Sequence, residues 1–326
     1  MNGPHACRAG AHRSLAARTA LPHGGPAQLQ NKDAMDINDI KKEWNATIAE
    51  VLKAFIGLCE RHGLTYYCCA GTAIGAVRHH GIIPWDDDID VIMPRPDYDR
   101  LLEIGQDADL GNYELITPYG NPAYPLYFSK LADKRTTLVE DSHIPCVTGL
   151  YIDIFPLDAT DDDVEEAKRL KRKYTKIINR LNAISTHNSF FEYLSLLTKP
   201  SQWGRFAVKT AAFFARRQLR RALIGQMDAI SHKYCYASAR NVQVYTGSYG
   251  MKEVFPKEWL GEGAAFTFEG ITVRLPEQYD TYLRHFFGDY MQLPPVEQRT
   301  GKHSRFYINL SRRETMAEVR TKVKTR

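Results

Sequence analysis

One short segment, residues 86–93 (DDDIDVIM), restricts the possible folds of this 326-residue chain more than any other. Asp88 and Asp90 stand on either side of Ile89, and apolar residues follow. This alternation predicts a strand over residues 88–93, in which the two aspartates share one face of a sheet. Two neighbouring carboxylates repel each other unless a cation lies between them. Because Mg²⁺ prefers oxygen ligands, the segment predicts a magnesium site, although an aspartate run alone is more often a solvated loop or a helix cap.

A second predicted strand, residues 149–157 (GLYIDIFPL), buries a single carboxylate. Asp153 stands there between two isoleucines, and an isolated charge in apolar surroundings is costly. We therefore expect Asp153 to neighbour both aspartates of the first strand and to complete a metal site of three carboxylates. A buried salt bridge between Asp153 and Lys130 or Arg78 is the alternative.

Gly71 and Thr72 lie where a predicted strand, residues 64–70, turns into a predicted helix, residues 72–79. The backbone N–H groups at the start of a helix, together with its positive end, bind phosphate well. A Gly-Thr turn is weak evidence alone. It gains weight here because the aspartate strand follows shortly afterwards, so that both features could contact one ligand.

Four further residues are candidates for substrate binding. Arg78 and His79 lie at the far end of the same predicted helix, where positive charge could meet phosphates or a carboxylate. Asp87 precedes the aspartate strand and could reach the site or a substrate hydroxyl. Lys130 could neutralise a diphosphate, although a lysine on the protein surface is the common alternative.

Four sequence motifs resemble the LicD family, the cholinephosphotransferases that decorate bacterial surface glycans. The motifs are GTAIGAVRHHGIIPWDDDIDV, FSKLADKRTTLVE, YIDIFPLD and LPEQYDTYLRHFFGDYMQLPP. The resemblance implies an α+β fold with a core of the nucleotidyltransferase superfamily, like that of polymerase β, in which helices flank a mixed sheet. It also implies that Gly71 and Thr72 grip phosphate, and that the metal ligands and catalytic residues are Asp88, Asp90 and Asp153.

The reaction implied by this resemblance is phosphoryl transfer. Phosphocholine would pass from CDP-choline, with release of CMP, to a hydroxyl of a cell-surface glycan, such as lipopolysaccharide or teichoic acid, or of its lipid-linked precursor. Mg²⁺ or Mn²⁺ would be the cofactor. Fukutin and fukutin-related protein resemble this family distantly and transfer ribitol phosphate from a CDP donor, so the transferred alcohol varies. The pair His79-His80 departs from the family pattern, in which histidine is followed by lysine or glycine.

Two other functions are compatible with parts of the sequence. A nucleotidyltransferase proper would use the same carboxylates to add a nucleoside monophosphate to a small molecule. A nucleic-acid-binding protein would use the basic segments, but it leaves Asp88, Asp90 and Asp153 unexplained, because acidic clusters repel phosphate without a metal. We therefore expect no nucleic-acid partner.

Basic residues are concentrated in two segments. Residues 168–221 contain fourteen basic residues and one acidic residue, and residues 299–326 contain nine and two, although the net charge of the chain is only +5. Within residues 187–225, arginines mix with aromatic and aliphatic residues. Such a surface could lie on an anionic membrane. Alternatively, it is an amphipathic helix that packs on its own domain and exposes a solvated basic face.

Cysteine usage and apolar runs indicate the compartment. Six cysteines without a CxxC pair are typical of reduced thiols, and no apolar run has the length of a membrane span. We expect a cytoplasmic protein, in contact with the inner face of the plasma membrane. The expected parts are a disordered tail (1–34), a nucleotidyltransferase-like catalytic core (35–185), an inserted basic amphipathic helical region (186–232), the C-terminal part of the LicD-like domain (233–298) and a basic tail (299–326).

Overall fold

A mixed β-sheet forms the centre of the fold. The computed structural model describes residues 37–324 except Pro122, His143, residues 186–194, Lys199 and residues 300–304. The strands are β1 (Tyr67–Cys68), β2 (Asp90–Pro94), β3 (Tyr113–Ile116), β4 (Ser129–Val139), β5 (Thr148–Thr160), β6 (Asn241–Gln243), β7 (Val254–Pro256), β8 (Ala264–Phe268), β9 (Ile271–Leu275) and β10 (Tyr307–Asn309). The helices are α1 (Ile37–His62), α2 (Ala70–Arg78), α3 (Arg95–Asp107), α4 (Val164–Ser185), α5 (Trp203–Ser231), α6 (Tyr279–Phe287) and α7 (Met316–Lys324). The tail predicted over residues 1–34 lies outside the described residues.

Strand β5 organises the sheet. Its central residues pair in parallel with β2, whereas β4 and β6 pair with it in the antiparallel direction. β1 extends the sheet beyond β2, and β7 extends it beyond β6. This combination of parallel and antiparallel pairs with flanking helices confirms the predicted α+β class with a mixed sheet.

A register shift in β4 allows two strands to share its outer edge. The shift lies between Asp133 and Leu138; β4 pairs with β3 before it and with β10 after it. Irregularities of this kind bend a strand and redirect its pairing. Residues 299–326, which we expected to form a basic tail, therefore supply an edge strand of the sheet and the helix α7 in their described part, with Val319 of α7 buried in the same cluster as Tyr307 of β10.

Helix α1 packs against the strands β4 and β5. Its buried residues recur at helical spacing, as expected for a helix that covers a sheet; they are Trp44, Ile48, Val51, Leu52 and Phe55. Gly63, with a φ of +63°, ends the helix in the left-handed region that favours glycine. The helical spacing of apolar residues over 36–62 in the sequence predicts this helix.

Helices α4 and α5 share a separate hydrophobic cluster. Tyr174, Ile177 and Leu181 of α4 belong to it together with Met227 and Ile230 of α5. The C-terminal half of α5 is thus packed on the domain. None of the helices in the described part of the chain is apolar over a stretch long enough to cross a membrane.

Two boundaries near the aspartates differ from the predicted ones. The strand predicted over residues 64–70 is reduced to β1, because the chain turns at Ala70, whose φ is +46°. Gly71 and Thr72 consequently lie in the first turn of α2 and not in a separate turn before it. β2 begins at Asp90, so Asp88 stands in the irregular segment just before the strand.

Candidate active site

Two aspartates of neighbouring strands lie side by side. Asp90 at the start of β2 is in register with Asp153 of β5, and the parallel pairing continues through the following residues. The backbone N–H of Asp153 donates to the carbonyl of Ile89 at 2.8 Å. Residues in register on adjacent strands present their side chains on the same face of a sheet. The structure therefore confirms the predicted adjacency of Asp90 and Asp153.

The three consecutive aspartates before β2 form a closer cluster. Asp86, Asp87 and Asp88 each offer a carboxylate oxygen, and these oxygens lie within 4.8 Å of one another. Among the described residues, this is the group of three that one cation could contact. Asp88 precedes β2 instead of continuing it, and the ligand set of Asp88, Asp90 and Asp153 stays a prediction. Asp88 belongs to both sets.

Asp90 is a buried carboxyl in negative surroundings. Burial raises its pKa well above the ordinary value, and the charges of Asp88, Asp153 and Asp86 raise it further, whereas Lys130 lowers it. The charged form of Asp90 is thus unfavourable in the protein alone. A divalent cation would offset this repulsion, and a donor set of carboxylate oxygens suits Mg²⁺ or Mn²⁺. The residues present fit the predicted metal.

Lys130 is buried beside Asp153. Its side chain is 2% exposed, and its Nζ lies 2.7 Å from Oδ1 of Asp153. The same Nζ lies 3.2 Å from the centre of the Tyr151 ring, and the Tyr151 hydroxyl donates to Glu140. β4 holds Lys130 in this position because it is in register with Asp153 of β5. The salt bridge considered as an alternative is therefore present, and the alternative of a surface lysine is wrong.

The first turn of α2 meets the same aspartates. The N–H of Ala73 donates to the carbonyl of Cys69 in the first hydrogen bond of the helix. The N–H groups of Gly71 and Thr72 precede this bond, so they have no hydrogen-bond acceptor within the helix. The Thr72 hydroxyl accepts the N–H of Asp90 at 2.8 Å. This bond holds α2 against β2, so the predicted phosphate-binding residues and the aspartates occupy one site.

Gly71 has no room for a side chain. A Cβ at this position would collide with Oδ2 of Asp86 and would lie 3.3 Å from its Cγ. We expect Gly71→Ala to displace the Asp86 carboxylate and to lower the free energy of unfolding by about 1–3 kcal/mol, as overpacking does elsewhere. Urea unfolding measures this loss.

Gly225→Ala is the matched control for Gly71→Ala. Gly225 lies in α5, and a Cβ there meets no atom within 4 Å outside its own helix backbone. Alanine should therefore stabilise the helix by about 0.5–1 kcal/mol. If Gly71→Ala unfolds at the same urea concentration as the unmodified chain, the close contact between Gly71 and Asp86 is not what the geometry indicates.

Asp87 is held by a residue from the end of the chain. Arg305 donates to the Asp87 carboxylate, and the Arg305 guanidinium carbon lies 3.9 Å from the centre of the Trp44 ring. The Trp44 indole donates to the backbone carbonyl of Asp87 at 3.0 Å. The structure places Asp87 in an ion pair with Arg305, and its role in substrate binding stays a prediction. No local pattern in the sequence indicated this pair, because its two members are 218 positions apart.

Arg78 and His79 lie at the opposite end of α2. Arg78 donates to the carbonyls of Tyr290 and Gln292, which ties α2 to the segment after α6. His79 packs edge-on against Trp85, with ring centres 5.9 Å apart, and burial together with the charge of Arg78 lowers the pKa of His79. Along a helix, these positions lie about 12 Å from its first turn. Arg78 and His79 therefore lie at the end of α2 away from its first turn, and their roles in substrate binding stay predictions.

The tip of the β8–β9 hairpin supports the loop that leads into the aspartates. The Glu269 carboxylate accepts the N–H of Ile82 at 2.8 Å, and the Glu269 N–H donates to the carbonyl of His80 at 3.1 Å. Glu269 and Gly270 both have positive φ, 50° and 74°, as in the two-residue turns that close hairpins. The turn residues Glu269-Gly270 at the centre of residues 265–275 predict this hairpin, whereas no local pattern predicts the contact of Glu269 with the loop, because the contact joins distant parts of the chain.

Comparisons with known proteins find one family model and several similar proteins. The family model described as LicD/FKTN/FKRP, nucleotidyltransferase domain, matches residues 63–209. The lipopolysaccharide cholinephosphotransferase LicD of Haemophilus influenzae is 27% identical over 269 residues, which are 80% of this chain and 95% of that protein. An uncharacterised protein of Rickettsia prowazekii is 36% identical over 58 residues, which are 18% of this chain and 22% of that protein.

The matched region contains the predicted ligands and phosphate-binding residues, whereas Trp44 and Glu269, which contact the aspartate loop, lie outside it. It includes the first turn of α2, the aspartate cluster, β2, β4 and β5. Arg305 lies beyond it. Residues 63–209 therefore form a domain of the LicD family.

Proposed function

We propose that this protein is a phosphotransferase that moves a phospho-alcohol group onto a hydroxyl of a cell-surface glycan or its lipid-linked precursor. Phosphocholine from CDP-choline is the proposed group, lipopolysaccharide the proposed acceptor, and CMP the second product. The observation that carries the proposal is that Asp90, in register with Asp153 on the neighbouring strand, is bonded to Thr72 in the first turn of α2. The relative from H. influenzae, named as a lipopolysaccharide cholinephosphotransferase, supports it because the alignment covers 95% of that relative.

We also propose that the catalytic core is a nucleotidyltransferase fold of the polymerase-β kind. The mixed sheet supports this proposal, since its parallel pair β2–β5 brings two carboxylates together beside a helix N-terminus. Asp88 and Asp90, with Asp153, would hold a Mg²⁺ or Mn²⁺ ion, and Asp86 adjoins them. When bound, such an ion supplies positive charge that stabilises the leaving phosphate.

The chain itself offers two positive elements for the phosphates of the donor. The N–H groups of Gly71 and Thr72 stand at the positive end of α2, which favours anions. The Lys130 ammonium is buried and held by β4, close to Asp153. Both elements are in place before a substrate arrives, so little reorganisation accompanies the build-up of charge in the transition state.

Release of CMP from CDP-choline tests the proposal. Purified protein incubated with labelled CDP-choline, lipopolysaccharide and Mg²⁺ should transfer the label to the acceptor and release CMP. EDTA should slow both by at least about a hundredfold, because the carboxylates repel the donor diphosphate without a cation, and added Mg²⁺ should restore them. Full activity in EDTA would contradict the metal site, and a panel of other CDP-alcohols would identify the transferred group if CDP-choline is inert.

The same experiment distinguishes a nucleotidyltransferase that adds a nucleoside monophosphate to a small molecule. The nucleotidyltransferase domain in the description of the matching family model makes this the second candidate. Labelled CTP in place of CDP-choline should then release pyrophosphate. Release of CMP from the CDP-alcohol without release of pyrophosphate from CTP supports the phosphotransferase.

We place this reaction in the cytoplasm. Cys59, Cys68, Cys69 and Cys146 are buried free thiols, and burial raises the pKa of Cys59 to about 12. Such thiols are unreactive side chains of the core, which suits a reducing compartment.

A further inference from the structure

The N-terminal half of α5 exposes large apolar side chains. Trp203, Val208 and Phe214 are 57%, 70% and 73% exposed. In the C-terminal half, by contrast, Met227 and Ile230 are buried in the cluster shared with α4. One helix therefore consists of a half that packs on the domain and a half that presents apolar surface to solvent.

Aromatic and basic residues share one side of this exposed half. Trp203 and Phe214 are eleven positions apart. Eleven residues of a helix make three full turns plus about 20°, so the two residues lie on the same side of α5. Arg217 and Arg221 follow Phe214 by three and seven positions, so they lie on the same side of the helix, and both are exposed. We call Trp203, Phe214, Arg217 and Arg221 the aromatic-basic face.

The charge of this half of α5 has one sign. Residues 203–221 contain six basic residues and no acidic residue. One of the six, Arg220, is buried and donates to the carbonyls of Pro118 and Tyr124 at 3.1 Å each. Arg220 thus anchors the helix to the domain, whereas Arg217 and Arg221 are exposed.

We propose that the aromatic-basic face binds the surface of an anionic phospholipid bilayer, with α5 lying in the plane of the interface. Tryptophan and arginine both combine an apolar body with a polar end, and such side chains suit the headgroup region. Arginines near anionic lipids add electrostatic attraction. The proposal does not depend on the reaction proposed above.

Vesicle flotation of the full chain tests this surface. The protein should float with vesicles that contain phosphatidylglycerol and not with vesicles of phosphatidylcholine alone, at about 0.1 M salt. Arg217→Glu with Arg221→Glu should lower the partition coefficient by about twentyfold or more, since each arginine near an anionic surface contributes about fivefold. Trp203→Ser with Phe214→Ser should lower it by about tenfold or more, because both side chains leave water on binding.

Two control variants keep the test specific. Lys53→Glu with Arg240→Glu makes the same change of charge at exposed positions outside α5, where the side chains are 66% and 86% exposed. Val164→Ser removes an apolar side chain that is 55% exposed. Both should float with anionic vesicles within about twofold of the unmodified chain, since neither position lies on the aromatic-basic face.

Three results would overturn the proposal. In the first, the unmodified chain fails to bind anionic vesicles. In the second, the control variants lose as much binding as the variants of the aromatic-basic face. In the third, Trp203→Ser with Phe214→Ser converts a dimer into a monomer in analytical ultracentrifugation while vesicle binding is unchanged, which would make this face a contact between copies. Circular dichroism melting of each variant checks that its fold is intact.

Discussion

Asp88→Asn and Asp90→Asn are each expected to reduce transfer by at least about a thousandfold. An amide cannot supply the negative charge that holds a divalent cation beside the donor phosphates, and a loss of about 4 kcal/mol of transition-state stabilisation corresponds to this factor. Release of CMP from the CDP-alcohol at saturating Mg²⁺ measures the effect. Activity within tenfold of the unmodified enzyme would remove these residues from the metal site.

The stability of Asp90→Asn should change in the opposite direction from its activity. Burial and the neighbouring carboxylates raise the pKa of Asp90 in the folded protein. A raised pKa means that the folded state binds more protons at this position than the unfolded state. The contribution of Asp90 to the stability of the fold is therefore present below the ordinary pKa of about 4 and is lost as the pH rises. Asparagine does not ionise. In EDTA at neutral pH, Asp90→Asn should therefore melt at or above the temperature of the unmodified chain, and the difference should shrink in acid.

Asp107→Asn is the matched control for these substitutions. Asp107 ends α3 at an exposed position, so the same chemical change there should leave activity and melting temperature within experimental error. A lower melting temperature for Asp90→Asn in EDTA would indicate that the carboxylate stabilises the fold, and this would contradict the electrostatics of the site.

Lys130→Met is expected to lower the free energy of unfolding by about 3–5 kcal/mol. The substitution leaves the partly buried carboxylate of Asp153 without its ammonium partner, next to Asp90, and breaking a buried pair on one side is strongly destabilising. We also expect a loss of transfer activity of about a hundredfold, because one positive charge disappears from the place proposed for the donor diphosphate. Urea unfolding and CMP release give the two quantities.

A double variant separates the stability of the pair from its role in the reaction. Lys130→Met with Asp153→Asn removes both charges, so it should recover more than about 1 kcal/mol of the stability lost in Lys130→Met while transfer activity stays low. Lys53→Met is the control, because Lys53 is 66% exposed and should change stability by less than about 0.5 kcal/mol. An unfolding free energy of Lys130→Met within 1 kcal/mol of the unmodified chain would show that the pair contributes little.

The meeting of Asp90 and Asp153 could be predicted from the sequence. Each aspartate interrupts an apolar strand, and a buried carboxylate requires a cation or a charged partner nearby. Both strands therefore had to place their charges near a common partner, and the parallel register of β2 and β5 agrees. The long helix α1 and the hairpin of β8 and β9 were predictable for a related reason, since periodicity and turn residues act over short stretches of chain.

The roles of the individual aspartates before β2 could not be predicted in the same way. Asp86 and Asp87 are adjacent and chemically identical, yet Asp86 lies against Gly71 whereas Asp87 pairs with Arg305. The sequence placed Asp88 on the strand with Asp90, and the structure places it just before the strand. These differences follow from the path of the loop, which Glu269 holds from a distant hairpin.

By itself, the sequence determined most elements of the fold and the acidic character of the site, because strands, helices and the cost of burying charge depend on neighbouring residues. The class of the fold was implied by the resemblance to the LicD family. Only the tertiary structure decided that Lys130 is buried against Asp153, that Arg305 joins the site from the end of the chain, and that α5 divides into a packed half and an exposed half. These arrangements depend on which surfaces distant elements bury against one another, and no local pattern encodes that choice.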